Sequence, residues 1–262
     1  MTPDQIAAAG QSLWQAEHDR AQRPILSVEY PEASLDDAYA VQRAYVDRKL
    51  ATGRKIIGWK IGLTSRAMQQ QLNITTPDSG VLLDDMAFAS GATIPAGRFI
   101  APRIEAEIAF VMKAPLSGDV TRDQVLAATD YVTPALEILD ARIRRAEAGR
   151  IRTVIDTIAD NAANAGIVTG AQRHSPDIDL RWVGAIVKRD GVVEETGLGA
   201  GVLDDPVTGI IWLARRMHHY GQAIEPGQII LSGSFIRAME CPPGCQIDAD
   251  FGAFGHLTCS FA

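Results

Sequence analysis

The period of the hydrophobic pattern changes near residue 56 of this 262-residue chain, from mostly helical to mostly strand-like, and that change restricts the fold more than any other feature. Before it the spacing is helical. Residues 4–22 and 34–52 read as two helices, the second with Leu35, Ala38, Tyr39, Gln42, Tyr45, Val46 and Leu50 on one face. Ser34 followed by Asp36 and Asp37 gives that helix a capped, acidic start, Gly53 ends it, and Pro24 and Pro31 keep the connection extended. From Ile56 onward the chain reads as short strands: 56–63, 106–112, 185–188, 229–231, 246–251 and 255–261, with turns at Arg189-Asp190-Gly191 and Glu225-Pro226-Gly227. Helices return only at about 122–130 and 207–219. Strands and helices do not alternate strictly, so the expected class is α+β: a β-rich mixed-sheet roll or barrel over 56–262 behind a helical N-terminal arm, 1–55.

Composition narrows the function. No run of apolar residues is long enough to span a bilayer, and Met1 to Gly10 lacks the layout of a secretory signal, so the expected location is the cytoplasm. A net charge of −7 argues against a nucleic-acid partner. Arg142, Arg144, Arg145, Arg150 and Arg152 cluster, but Glu147 interrupts them, and they read as a solvated helix end and loop. Cys241, Cys245 and Cys259 are an odd number without a second pair of soft ligands nearby, which fits buried thiols better than a disulfide framework or a zinc site.

The segment Pro102 to Val111 carries the first chemical signal. Glu105 and Glu107 lie two apart on a strand, so both side chains leave one face, while Ile104, Ala106 and Ile108 occupy the other. The pair either alternates outward into water or shares a cation; hard oxygen ligands at this spacing suit Mg²⁺, with Mn²⁺ as an alternative. Glu137 is embedded in the apolar run Val132 to Leu139, where an unpaired charge costs several kcal/mol, and a shared metal ion would compensate it.

Lys60 interrupts the glycine-flanked strand Gly58-Trp59-Lys60-Ile61-Gly62. It is either an edge-strand lysine that blocks aggregation or a buried acid–base group. Asp160-Asn161 and Leu231-Ser232-Gly233-Ser234 read either as Asx and hydroxyl turns or as substrate contacts through Asn161, Ser234 and loop amides.

Six segments in order resemble the fumarylacetoacetate hydrolase superfamily, and within it the bacterial 2-oxo acid hydratases and decarboxylases of aromatic meta-cleavage catabolism. They are Asp36 to Gln42, Gly58 to Ser65, Gly80 to Met86, Ile104 to Glu107, Asp156 to Gly166 and Gly233 to Phe235. The resemblance implies the fold of that superfamily's C-terminal domain and homo-oligomers, with a pathway enzyme as a further partner. It implies metal ligation by Glu105, Glu107 and Glu137 and catalytic roles for Lys60 and Asp78. The implied substrate is a small 2-oxo acid, and the implied reaction is addition of water to a 2-oxo-alkenoate or 2-hydroxydienoate. For a dicarboxylate, Arg103, Arg237 or Arg66 would hold the remote carboxylate. Alternatives are a monoacid substrate, decarboxylation, or a non-catalytic partner subunit. None of the five histidines lies in the motif expected of the C–C bond hydrolases.

Overall fold

Capped helices open the chain in this computed structural model, which describes all residues except Leu72, Asn73 and Thr75, and all side chains except theirs and those of Ala67, Met68 and Gln71. Helix α1 (Pro3–Asp19) starts at Thr2, whose hydroxyl accepts from the Gln5 N–H while Gln5 reaches back, and α3 (Leu35–Ala51) starts at Ser34 in the same reciprocal way with Asp37. The short α2 (Leu26–Glu29) lies between them. Leu13 of α1 and Val41 and Tyr45 of α3 share a core with Val81, Leu83, Ile143 and Ile158.

One polar cluster ties this helical part together. Glu17 accepts from Lys49 Nζ at 2.8 Å and from the Tyr45 hydroxyl. Burial alone would raise the Glu17 carboxyl, but the Lys49 and Arg142 cations outweigh it and hold it at about 2, against an ordinary 4.5. A depressed carboxylate pKa stabilises the fold above the unfolded value, and that stabilisation is lost as pH falls from 4.5 towards 2. We therefore expect Glu17→Gln to lower stability at neutral pH by about 2 kcal/mol and to flatten the acid limb of a stability–pH curve in that window. Urea unfolding at several pH values measures both.

The remaining elements are β1 (Ile56–Gly62), α4 (Arg66–Gln71), β2 (Asp78–Leu83), β3 (Ala87–Ala89), β4 (Ala92–Ile94), β5 (Arg103–Met112), α5 (Arg122–Ala128) and β6 (Thr129–Leu139). They continue with β7 (Ala146–Glu147), β8 (Arg150–Ile151), α6 (Val154–Ala159), β9 (Asn164–Thr169), β10 (Gly184–Arg189), β11 (Val192–Leu198) and α7 (Pro206–His219). The chain closes with β12 (Ile229–Leu231), β13 (Met239–Glu240), β14 (Gln246–Asp250) and β15 (His256–Phe261). An eight-stranded mixed sheet runs β2-β1-β12-β5-β6-β9-β3, with β13 also on β5, and a five-stranded sheet runs β11-β10-β14-β15-β4. The fold is α+β as expected, but the larger sheet remains open and forms no closed barrel.

The two faces of the larger sheet differ. Ile104, Ala106, Ile108, Phe110, Leu136 and Ile138 project into the main core, which also takes in Val187 of β10, Ile247 of β14 and Leu257 of β15. Strand register places Glu105, Glu107, Ala109, Glu137, Leu231 and Lys60 on the other face. The arginine run is a correction to the expected solvated helix end: it forms the hairpin β7–β8, and Arg142, only 1% exposed, is ion-paired to Asp160. Arg142 also donates to the backbone carbonyls of Asp160 and Asn164, at 2.7 and 3.1 Å, so its charge is spent locking that segment.

Candidate metal and active site

Glu105 and Glu137 are direct cross-strand partners in the β5–β6 pair. Like charges directly opposite each other destabilise a sheet, and Glu107 adds a third on the same face. One oxygen from each of the three carboxylates lies within 4.8 Å of the others. Glu107 and Glu137 are buried, 1% and 0% exposed, and Glu105 is half-buried. Burial and the neighbouring Glu137 charge push the Glu105 carboxyl up to about 8, and the same two causes raise Glu107 well above the ordinary carboxylate range.

Positive charge and oriented dipoles converge on this acidic face. Lys60 Nζ lies 3.4 Å from Glu137 Oε1. Burial alone would lower the lysine pKa, but Glu137 and Asp78 outweigh it and keep the ammonium above its ordinary value. Lys60 is therefore not an edge-strand lysine: its strand lies between β2 and β12, and the residue is 4% exposed. Asp78 pairs opposite Gly62, next but one to Lys60, and burial raises its carboxyl although Lys60 opposes that shift. A Cβ at Gly62 would fall on the Asp78 carboxylate and 2.9 Å from Lys60 Nζ, so only glycine leaves both groups their place. The loop after β12 supplies one amide: Gly233 N–H donates to Glu107 Oε2 at 2.7 Å. That loop amide does cradle a carboxylate, but it is one of the protein's own.

The residues fit a divalent cation. Among the described residues no donor makes a well-formed hydrogen bond to either oxygen of Glu137 or of Asp78, although all four are buried; Lys60, at 3.4 Å from Glu137, acts chiefly through its charge. Uncompensated buried carboxylate oxygens are costly, and a hard cation among three of them removes the cost.

The other anticipated contacts are engaged elsewhere. Arg103 is paired with Glu240 at 2.6 Å. Arg237, 87% exposed at its side chain, binds Glu195, and Arg66 pairs with Asp204. Ser234 closes a turn on Ile236. The Asn161 side chain accepts from Val81 N–H at 2.7 Å and donates to Val81 C=O at 2.9 Å. Asn161, Ala162 and Ala163 all have positive φ, a strained left-handed turn that this bridge to β2 holds in place. A Cβ at Gly80, opposite Lys60, would lie 2.5 Å from the Asn161 carbonyl oxygen, so the turn packs directly against the site's strand.

No family model matches the chain. Whole-chain comparison is more informative. The chain is 51% identical over 255 residues, 96% of each protein, to the 2-oxo-hept-4-ene-1,7-dioate hydratase of Escherichia coli. The chain belongs to the hydratase and decarboxylase branch of the fumarylacetoacetate hydrolase superfamily. It is also 39% identical over 263 residues to the 2-keto-4-pentenoate hydratase of Paraburkholderia xenovorans, covering all of this chain and 96% of that one. Among solved structures, the 4-oxalocrotonate decarboxylase from Pseudomonas putida G7, complexed with magnesium and adipate, superposes with a TM-score of 0.95 at 34% identity, over 100% of this chain and 99% of that one. The superfamily therefore contains a magnesium-bound member with this whole-chain fold, and the acidic triad here can hold a metal. No helix among the described residues is long and apolar enough to cross a membrane.

Proposed function

We propose that this superfamily member adds water to a 2-oxo-alkenoate or its 2-hydroxydienoate tautomer, with 2-oxo-hept-4-ene-1,7-dioate as the substrate and 4-hydroxy-2-oxoheptanedioate as the product. The observation that carries the reading is the convergence of Glu105, Glu107 and Glu137 beside Lys60 in a chain half identical to a hydratase of that substrate. The three glutamates would hold Mg²⁺, for which Mn²⁺ is a chemically similar substitute. When bound, the ion would supply Lewis-acid chemistry at the 2-oxo acid end of the substrate.

The chain's own groups do the rest. Hydration places a proton on one carbon and a hydroxyl on another. Lys60 Nζ, held charged by Glu137 and Asp78, is the acid that gives and recovers the proton. Asp78, buried and with no well-formed hydrogen bond to either oxygen among the described residues, holds the water and accepts its proton. Apolar Leu82, Ala109, Ala135, Ile167 and Leu231 cluster beside these groups and keep bulk solvent from them. We also infer a cytoplasmic, self-associating enzyme. Three unpaired, buried thiols support the first, and exposed Trp182, Ile186, Val193 and Leu198 on and beside the β10–β11 pair support the second.

Substrate competition tests the reading. With Mg²⁺ present, kcat/KM for 2-oxo-hept-4-ene-1,7-dioate is expected to exceed that for 2-hydroxypenta-2,4-dienoate by at least about tenfold. Faster use of the monoacid, or release of CO₂ from 4-oxalocrotonate as the preferred reaction, would replace the assignment.

A further inference from the structure

The hairpin β7–β8 pairs Ala146 with Ile151 and Glu147 with Arg150, and Arg152 N–H donates to the Arg145 carbonyl at 3.0 Å. This register sets Arg145 across from Arg152, so both side chains leave one face of the hairpin. Ile151 leaves the other face and is 77% exposed. Two guanidiniums directly opposite each other repel, and a third, Arg103, acts on both.

The acids near this cluster are already committed. Glu240 is bonded to Arg103 at 2.6 Å. Asp160 is bonded to Arg142, and Asp156 accepts from Ser27 and Thr153. The Arg145 guanidinium forms no hydrogen bond or ion pair with the described residues, and Arg152 Nη1 is buried without an acceptor. Burial and the adjacent Arg152 charge bring Arg145 down to about 10, and burial lowers Arg152 as well. A buried guanidinium donor with no acceptor is costly in the same way as the unsatisfied Glu137 carboxylate, and an anion within bonding reach is what both arginines lack.

The cluster borders the active site. Arg103, whose charge reaches both arginines, lies two residues from Glu105 on the same face of β5, and the charges of Arg145 and Arg152 reach Glu105 and Asp78, whose carboxyls burial nevertheless raises. We propose that Arg145 and Arg152 form a carboxylate subsite that takes the far end of a dicarboxylic substrate whose 2-oxo acid end lies at the three glutamates. Arg103, anchored by Glu240, flanks this subsite and adds charge without needing to touch the ligand. The inference rests on the hydratase reading for the near end of the substrate. It assigns selection between diacids and monoacids to the hairpin, not to the exposed Arg237 or Arg66.

Adipate and hexanoate share a chain length and differ only in the second carboxylate, which makes them suitable probes. Calorimetry in Mg²⁺ is expected to show the wild-type enzyme binding adipate at least about tenfold more tightly, with Arg152→Met and Arg145→Met each removing most of that preference. In turnover, the ratio of kcat/KM for the seven-carbon diacid over the five-carbon monoacid should fall by about 50-fold in Arg152→Met. Arg152→Lys, which keeps the charge but not the paired donors, should fall between the two and covers the case in which the methionine variant does not fold.

A wild-type enzyme with no preference for adipate would overturn the subsite. So would variants that weaken adipate and hexanoate equally, since that is the mark of a structural role. If neither substrate is turned over by wild type, the hydration reading fails, and the binding arm still decides the subsite.

Discussion

Glu107→Gln is expected to lose Mg²⁺-dependent turnover by on the order of 10³-fold, because one of the three proposed ligands becomes a neutral amide and several kcal/mol of Lewis-acid stabilisation go with it. Stability is expected to change in two directions. Without added metal, the variant should melt at or above the wild-type temperature, since it carries one fewer buried carboxylate among groups that repel. With Mg²⁺, wild type should gain stability with each increase in concentration through linkage, and the variant should gain little. Crossing melting curves with and without the ion are therefore the expected result. A variant whose melting temperature still climbs with Mg²⁺ as far as wild type, and which still turns over, would remove Glu107 from the ligand set.

Lys60→Met is expected to have the second large effect, of a different kind. The ammonium is the only cation in an ion pair with Glu137 among the described residues, and it also acts on Asp78, Glu105 and Glu107. Deleting it leaves these carboxylates facing one another, at a cost of about 3–5 kcal/mol. Saturating Mg²⁺ should return much of that stability but not turnover, which should stay down by about 10²–10⁴-fold because the proposed proton donor is gone. Metal that restores both would reduce Lys60 to a counter-ion, whereas a variant as stable as wild type without metal would remove the electrostatic argument.

How far the sequence could be read follows from how each strand is buried. Alternation revealed β5 because only one of its faces enters the main core, and the lone acid in an apolar run marked Glu137. β2 is buried at every position, so its pattern has no period, and Asp78 was legible only by resemblance. Much the same holds for β6 and β9. The hairpin β7–β8 turns at Ala148-Gly149, both with positive φ. An asparagine at the first of these would have signalled that turn, and alanine does not. Its arginines therefore read as solvated charge, and Arg142, whose partner Asp160 is 18 residues further on, read the same way. The left-handed turn at Asn161 to Ala163 carries alanines where no local rule asks for positive φ, so its bridge to β2 was invisible.

The placement of β12 between β1 and β5 has a consequence for how the protein is made. While the nascent chain emerges from the ribosome, Lys60 and all the acidic groups appear early, but the strand that brings β1 alongside β5 comes close to last, together with the Gly233 amide that steadies Glu107. Until then an unfinished polypeptide has a sheet with a missing member and exposed pairing edges. Such long-range pairing is slow to form, so translation pauses or truncations ahead of β12 should send this chain to chaperones or to aggregates rather than to a partly working enzyme.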